Sequence, residues 1–239
     1  MNIYKELSIH PREYEKKLDR KSVVIGGTGA TGRQLIKKML NSDSWGKVTS
    51  IGRKPVLGGE KHSKLNDIVL NSLQDMISIA NEFKDHDIFF NCIGTTRNRA
   101  GSASTFIDIE VGISEQAAKL ASRAQIPHAS VISANGANHR QWAQDWIQPL
   151  LYIKTIGQKE QTLINNTFEK ISIFRPGMLI RQLDKPTLIE KLIESTGLGL
   201  KVEDLAAAMI RDAESKSETG KEAPKVYIGN GCINQSITI

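Results

Sequence analysis

Residues 22–33, Ser-Val-Val-Ile-Gly-Gly-Thr-Gly-Ala-Thr-Gly-Arg, restrict the fold more than any other part of the chain. Val23, Val24 and Ile25 run straight into glycines at Gly26, Gly29 and Gly32. Leu35, Ile36, Met39 and Leu40 follow at helical spacing. Strand, tight turn, helix is the order in which a glycine pattern becomes a dinucleotide-binding fingerprint instead of an ordinary turn. Gly26 lets the chain turn sharply out of the strand. Gly29 lets backbone approach a pyrophosphate, and Gly32 lets the helix pack closely. The unpaired N–H groups and positive dipole end of the helix then face the phosphates. The candidate cofactor-binding residues of this stretch are Gly26, Thr28, Gly29, Ala30, Thr31 and Gly32.

The alternation of strand and helix patterns continues along the chain. Residues 46–51 read as a second strand ending at Gly52-Arg53-Lys54, and residues 65–70 as a third. Ser72 caps a helix through Phe83, with Leu73, Met76, Ile77 and Ala80 on one face. Residues 86–93 hold the buried run Ile88-Phe89-Phe90 and stop at Gly94-Thr95-Thr96. A long helix from about 105 to 124 turns Phe106, Ile109, Ile113, Ala117 and Leu120 to a core. Residues 128–133 form the next strand, Pro149 precedes a helix over 150–165, and residues 171–174 form a sixth strand closed by Arg175-Pro176-Gly177. Helices near 187–196 and 202–213 and a last strand at 226–228 complete the pattern. Trp142 and Trp146 fall in a polar segment with no assignable periodicity.

Strands alternating with helices imply an α/β fold: a single Rossmann-like, doubly wound, mostly parallel sheet with helices on both faces. A length of 239 residues suits one such domain over 1–239. Residues 1–20 read as an N-terminal helical arm, and residues 178–239 as the substrate-side and C-terminal segment of the same domain.

Several function classes are disfavoured. No apolar run approaches the length of a bilayer-spanning helix, so a soluble protein is expected. The net charge is +6, but Lys and Arg are scattered among Asp and Glu. Nucleic acid is not expected as a partner, and an anionic cofactor or an acidic partner accounts for the surplus. His10, His62, His86, His128 and His139 have no ligand-like spacing, so no metal site is expected. Cys92 and Cys232 make no disulfide framework, which fits a reducing compartment. The first twenty residues carry too many acids for a transit peptide and no apolar stretch for a secretory signal. The cytoplasm is therefore the default location, with an organellar one, such as the mitochondrion, left open.

At the end of the second strand such a fold reads the adenosine ribose. An acidic residue there bonds the 2′-hydroxyl of NAD, and a basic one accommodates the 2′-phosphate of NADP. This chain offers Arg53 and Lys54, with no carboxylate until Glu60, which favours NADP(H). At the end of the fourth strand Cys92, Gly94 and Thr95 border the same ligand. Gly94 permits close approach and Thr95 offers a hydroxyl. Cys92 reads as a small core residue, because nothing near it in sequence lowers a thiol pKa.

With these pieces in place the chain resembles the atypical short-chain dehydrogenases/reductases, and more closely the Tat-interacting-protein oxidoreductase family. The resemblance rests on the glycine motif, on Ile51-Gly52-Arg53, and on Cys92-Ile93-Gly94-Thr95-Thr96-Arg97 with Ala100-Gly101. Ser133 with Gly136-Ala137, Tyr152, and Phe174-Arg175-Pro176-Gly177 extend it over residues 14–181. It implies chemistry by a Ser/Thr, a Tyr and a Lys, the last two four apart on one helix. The phenol passes a proton while hydride moves to or from the nicotinamide. Because a free phenol titrates near pH 10, it needs a neighbouring cation. The resemblance makes Tyr152 and Ser133 the candidate catalytic residues. The position four after Tyr152 is Ile156, and the family's second polar residue beside the serine is replaced by Ala134. Lys154 points about 200° round the helix, and Lys159 lies about 10 Å along its axis, so neither is expected to replace the missing cation without a rearranged helix.

Two readings follow. The preferred one is an NADP(H)-binding protein of this kind with weak or no hydride transfer. It would serve a structural, regulatory or redox-sensing role, with a protein partner or as a subunit of a larger assembly. The alternative is an active NADPH-dependent reductase of a small carbonyl substrate, with Tyr152 as general acid and Ser133 orienting the carbonyl.

Overall fold

In the computed structural model, which describes residues 19–180, 199–215 and 220–238, apolar strand residues divide between two interiors. Val23 and Ile25 of β1 (Arg20–Ile25) face one core and Val24 the other, all three at 0% exposure. Residues two apart share a face of a strand, so a run apolar at every position must be covered on both sides. After the glycine turn come α1 (Ala30–Leu40), β2 (Trp45–Gly52) and β3 (Leu65–Val69). β4 (Ile88–Asn91) repeats the division, with Phe89 in the first core and Ile88 and Phe90 in the second.

The rest of the order is α2 (Arg97–Ala100), α3 (Ala103–Ile107), α4 (Ile113–Arg123), β5 (His128–Ile132), α5 (Gln148–Ile164) and β6 (Lys170–Arg175). Then follow β7 (Leu179–Ile180), β8 (Leu200–Lys201), α6 (Val202–Glu214), β9 (Lys225–Ile228) and α7 (Gly229–Thr238). The main sheet has seven strands in the order β3-β2-β1-β4-β5-β6-β9, and every pairing is parallel. β7 and β8 form a separate two-stranded pair. From β1 the chain runs outward to β3 and then crosses back to β4 beside β1. The carboxyl ends of β1 and β4 therefore flank the reversal point, where open α/β sheets form their ligand crevice.

On one face α1, α6 and α7 contribute Leu35, Ile36, Met39, Leu205, Met209 and Ile233 to the core, and α4 and α5 cover the other face with Ile113, Ala117, Leu120 and Leu163. The fold class expected from the alternation is the one found.

Two local expectations are corrected, and one helix is added to those the sequence predicts. Residues Leu73–Phe83 form a 3-10 helix with a non-helical residue at Ile79, not an α-helix. Three residues per turn align Leu73 with Met76 and swing Ile77 off the buried side, where it is 58% exposed. The expected helix over 105–124 is interrupted by a π-helical stretch, Asp108–Gly112, whose extra residue per turn turns Glu110 inward to 1% exposure. Finally, α7 was not anticipated. Its Gly-Asn-Gly start is a poor helix former, and the segment is held by packing of Ile233 and Ile237 in the α1–α6 core. The arm at 1–18 and the helix expected near 187–196 lie outside the described residues.

At the amino edge of the sheet, Asp212 of α6 ties three strands together. It accepts hydrogen bonds from Ser172 Oγ at 2.5 Å and Tyr227 OH at 2.7 Å, and lies 3.2 Å from Lys170 Nζ and 3.4 Å from His128 Nε2. Burial lowers the pKa of His128 against the hydrogen bond and charge of Asp212. The Asp212 carboxyl is opposed by burial, but its bonds to His128 and Ser172 and the Lys170 charge hold it below the usual carboxylate range.

Candidate functional site

The turn after β1 is set by backbone contacts that only glycine permits. Gly26 has φ +79°, and a Cβ there would lie 2.5 Å from the carbonyl carbon and oxygen of Cys92. Gly32, in the first turn of α1, would place a Cβ 2.4 Å from the Gly26 carbonyl oxygen. The turn is thus clamped between the end of β4 and the start of α1. Gly29 N donates to Gly26 O at 3.0 Å, and Gly29 then serves as the N-cap with no side-chain hydrogen bond to the helix. Thr28 and Gly29 are exposed at the crest, Ala30 is half-buried, and Thr31 is buried. The result is a helix start with bare amides, no acidic side chain in its first turn, and no side chain obstructing approach at Gly29. That donor set fits the pyrophosphate of a dinucleotide.

Arg53 and Lys54 stand exposed just beyond β2. The turn that carries them is held from below, because Val56 N donates to Asp67 Oδ2 of β3 at 2.9 Å. At the end of β4, Cys92 is buried with its thiol in the α1-side core, and burial pushes its pKa up to about 12 although the Lys159 charge acts in the opposite direction. Its thiol is therefore no nucleophile. Gly94 is exposed and Thr95 half-buried.

Behind this strand end lies a pair that sequence spacing did not bring together. Lys159 Nζ, 1% exposed, donates to the Ile93 carbonyl and sits 3.2 Å from Glu110 Oε2, while Thr95 N donates to Glu110 Oε1 at 2.5 Å. Lys159 does reach the crevice edge, with α5 helical throughout. One signal was present in the sequence. Leu151, Thr155, Lys159 and Leu163 recur every four residues and are all buried, so a lysine occupies a core position of α5.

The candidate catalytic groups are placed differently from one another. Ser133, just past β5, is buried and donates through Oγ to Glu160 Oε1 at 2.5 Å. Glu160 also receives both Arg175 Nε at 2.7 Å and Nη2 at 2.6 Å, a two-point guanidinium–carboxylate pair. Neither Glu160 nor Arg175 carries a signal in the sequence that marks it as a site residue. Tyr152, in the first turns of α5, is 40% exposed and stacks on Phe106 at 6.1 Å. Ile156 is 4% exposed, so the side of α5 where the resemblance puts a lysine is packed with an aliphatic group. Gly157 lets α5 meet the loop after β5, since a Cβ there would fall 2.2 Å from His139 N. Trp142 and Trp146, in that loop, are 62% and 77% exposed. Among the described residues no group of three or more His, Cys, Asp or Glu could hold a metal ion, and no helix is long and apolar enough to cross a membrane.

Comparison with known proteins shows the family and the fold. A family model described as NAD(P)H-binding matches residues 26–216. Protein HTATIP2 of Rattus norvegicus is 31% identical over 185 residues, 76% of this chain and 73% of that protein. The mitochondrial protein FMP52-1 of Scheffersomyces stipitis is 34% identical over 158 residues, 66% of each chain. Among solved structures, the dTDP-glucose 4,6-dehydratase DesIV of Streptomyces venezuelae, with NAD bound, superimposes with a TM-score of 0.66 at 15% identity, over 87% of this chain and 75% of that one. The Bordetella bronchiseptica enzyme WbmH in complex with NAD+ gives 0.65 at 15% identity, over 88% and 75%. At that identity the two structures speak to fold alone.

Proposed function

Because the chain belongs to the NAD(P)H-binding family, as an atypical short-chain dehydrogenase/reductase, we propose that it holds NADP(H) in the β1–β4 crevice and transfers hydride weakly or not at all. The bare amides of Ala30, Thr31 and Gly32 take the pyrophosphate, with Thr28 and Gly29 at the crest of the turn. Arg53 and Lys54 take the 2′-phosphate, and the backbone of Cys92, Gly94 and Thr95 lines the nicotinamide half. A bound nicotinamide supplies or accepts hydride; what this chain would add is a proton at Tyr152 Oη and a carbonyl-orienting hydroxyl at Ser133. The observation that carries the reading is on α5. Ile156 is buried where a cation is needed to lower the phenol pKa, and the Ser133 hydroxyl is donated to Glu160. A nucleotide that binds only the folded state stabilises it by mass action, so a site without turnover still has a physical effect. The protein then acts as one nucleotide-loaded domain, with a structural, regulatory or redox-sensing role beside a protein partner. Two free cysteines suit a reducing compartment, the cytoplasm or the mitochondrion named for the yeast relative.

Nicotinamide fluorescence tests the binding half. NADPH saturates the protein at lower concentration than NADH, and saturation by neither nucleotide refutes the reading. The partial exposure of Tyr152 favours the alternative, a reductase of small carbonyl compounds. Steady NADPH oxidation with aldehydes or ketones that is lost in Tyr152→Phe would establish that alternative. Equal, near-background rates in both proteins are the expected outcome.

A further inference from the structure

Lys159 and Glu110 are each 1% exposed, and they grip one strand end from two sides. The ammonium takes the carbonyl of Ile93, and the carboxylate takes the amide of Thr95. Between them is Gly94, whose missing Cβ would touch nothing within 4 Å. A glycine with open space around it has the widest conformational choice of any residue. Ile93 is anchored in the core, but Gly94 has no side chain to fix the path beyond it, and the two charges do so from outside. A buried ion pair is seldom better for stability than apolar residues of the same volume, because both charges must leave water. What this pair supplies is a set direction for one carbonyl and one amide on either side of Gly94. Glu110 can reach the amide because the π-helical stretch turns it inward, and Lys159 can reach the carbonyl because it stands in the buried stripe of α5.

We propose that Lys159 and Glu110 are positioning residues for the nicotinamide half of the bound nucleotide. They hold Ile93-Gly94-Thr95 in the one path that admits the ligand. The chain thus keeps a buried cation near this edge, but turns it toward backbone instead of toward the nucleotide. This inference rests on the NADP(H) reading and adds to it the cause of the segment's shape.

The test compares NADPH with 2′,5′-ADP, which carries the adenosine half alone, by calorimetric titration of the full chain. In the double variant Glu110→Gln/Lys159→Met both charges are removed together, so neither is left buried without its partner. The expected result is at least a tenfold loss of NADPH affinity with 2′,5′-ADP affinity within twofold of the unsubstituted protein. Unchanged affinity for both ligands overturns the proposal. An equal loss of both also overturns it, because that is general loosening of the fold. Should the double variant fail to fold, Glu110→Gln alone is read in the same way: it leaves Lys159 on the Ile93 carbonyl but exchanges the carboxylate that holds the Thr95 amide for a weaker neutral acceptor, and a severalfold selective loss is expected. An unsubstituted protein that binds neither ligand refutes the NADP(H) reading itself, a result visible before any substitution is made.

Discussion

At the carboxyl end of β1, glycines clear side chains away from the helix amides, whereas at the ends of β4 and β5 polar side chains are present but engaged with one another. Gly26, Gly29 and Gly32 leave backbone donors bare. Ser133, Glu160 and Arg175 close into one hydrogen-bonded group, and Lys159 and Glu110 into another. Binding a phosphate through backbone needs only space and unpaired N–H groups. Proton transfer needs side chains free to meet a substrate, with pKa values set by neighbours that are themselves unpaired. At one edge of the same sheet the backbone is open as the first requirement asks, while on the α5 side Ser133 and Lys159 are already engaged and Tyr152 stands 40% exposed.

The comparison is sharpest where charge is buried. Lys159→Met leaves the Glu110 carboxylate buried without its cation, and is expected to destabilise the fold by about 3–5 kcal/mol in denaturant melts. A loss below about 1 kcal/mol would mean that the pair is open to water and does not constrain the strand end. On the glycine side, Gly26→Ala forces a positive φ on alanine and drives its Cβ onto the Cys92 backbone. The expected cost is about 2–4 kcal/mol, together with loss of measurable NADPH binding. Retained binding would break the view that bare backbone makes the site.

The amino edge, at the opposite end of the strands from the crevice, provides a control. The pKa values of His128 and His86 are both lowered from 6.5, His128 by burial against Asp212 and His86 by burial and the Lys47 charge. Below about pH 6.5 the unfolded chain therefore takes up protons that the folded chain refuses, and stability falls as pH falls toward the lowered values. Asp212, held low in the folded state, adds a loss of the same sign at more acid pH. The melting temperature is expected to be highest above pH 7 and to drop between pH 7 and 5. His128→Gln should reduce that slope in part, since His86 still contributes. A melting temperature that rises on acidification would contradict the sign. The smallest effect is expected at the exposed turn, where Arg53→Ala should weaken NADPH by about five- to tenfold and leave NADH nearly unchanged. An equal change for both nucleotides would detach Arg53 from the 2′-phosphate.

Much of the scaffold was legible because its signals are local. Val23 to Ile25, Phe89 and Phe90 are strand runs apolar at every position, and such runs imply cover on both faces whatever their neighbours. The four apolar residues of α1 are buried as their spacing requires. Legibility ended where neighbours decide conformation. Residues Leu73–Phe83 carry an apolar pattern that fits either three or 3.6 residues per turn, and the burial of Leu73 and Met76 without Ile77 follows the former. Glu110 falls within the long helix that the apolar spacing predicts over 105–124, and an inserted π turn leaves no local mark in the sequence. The helix after β9 depends on packing of Ile233, not on propensity.

The candidate site divides along the same line. Sequence by itself determined the glycine turn, the basic residues after β2 and the absence of a lysine at Ile156, because each is a matter of which residue stands at a position relative to a strand or helix. Only the tertiary structure decided that the Ser133 hydroxyl goes to Glu160 and that the Lys159 ammonium goes to Ile93 and Glu110. A flexible side chain takes its direction from the partners that compensate its loss of water. Here those partners, 27 residues away for Ser133 and 49 and 66 away for Lys159, are brought within reach by the packing of α5 on the sheet and on the π-helical turn.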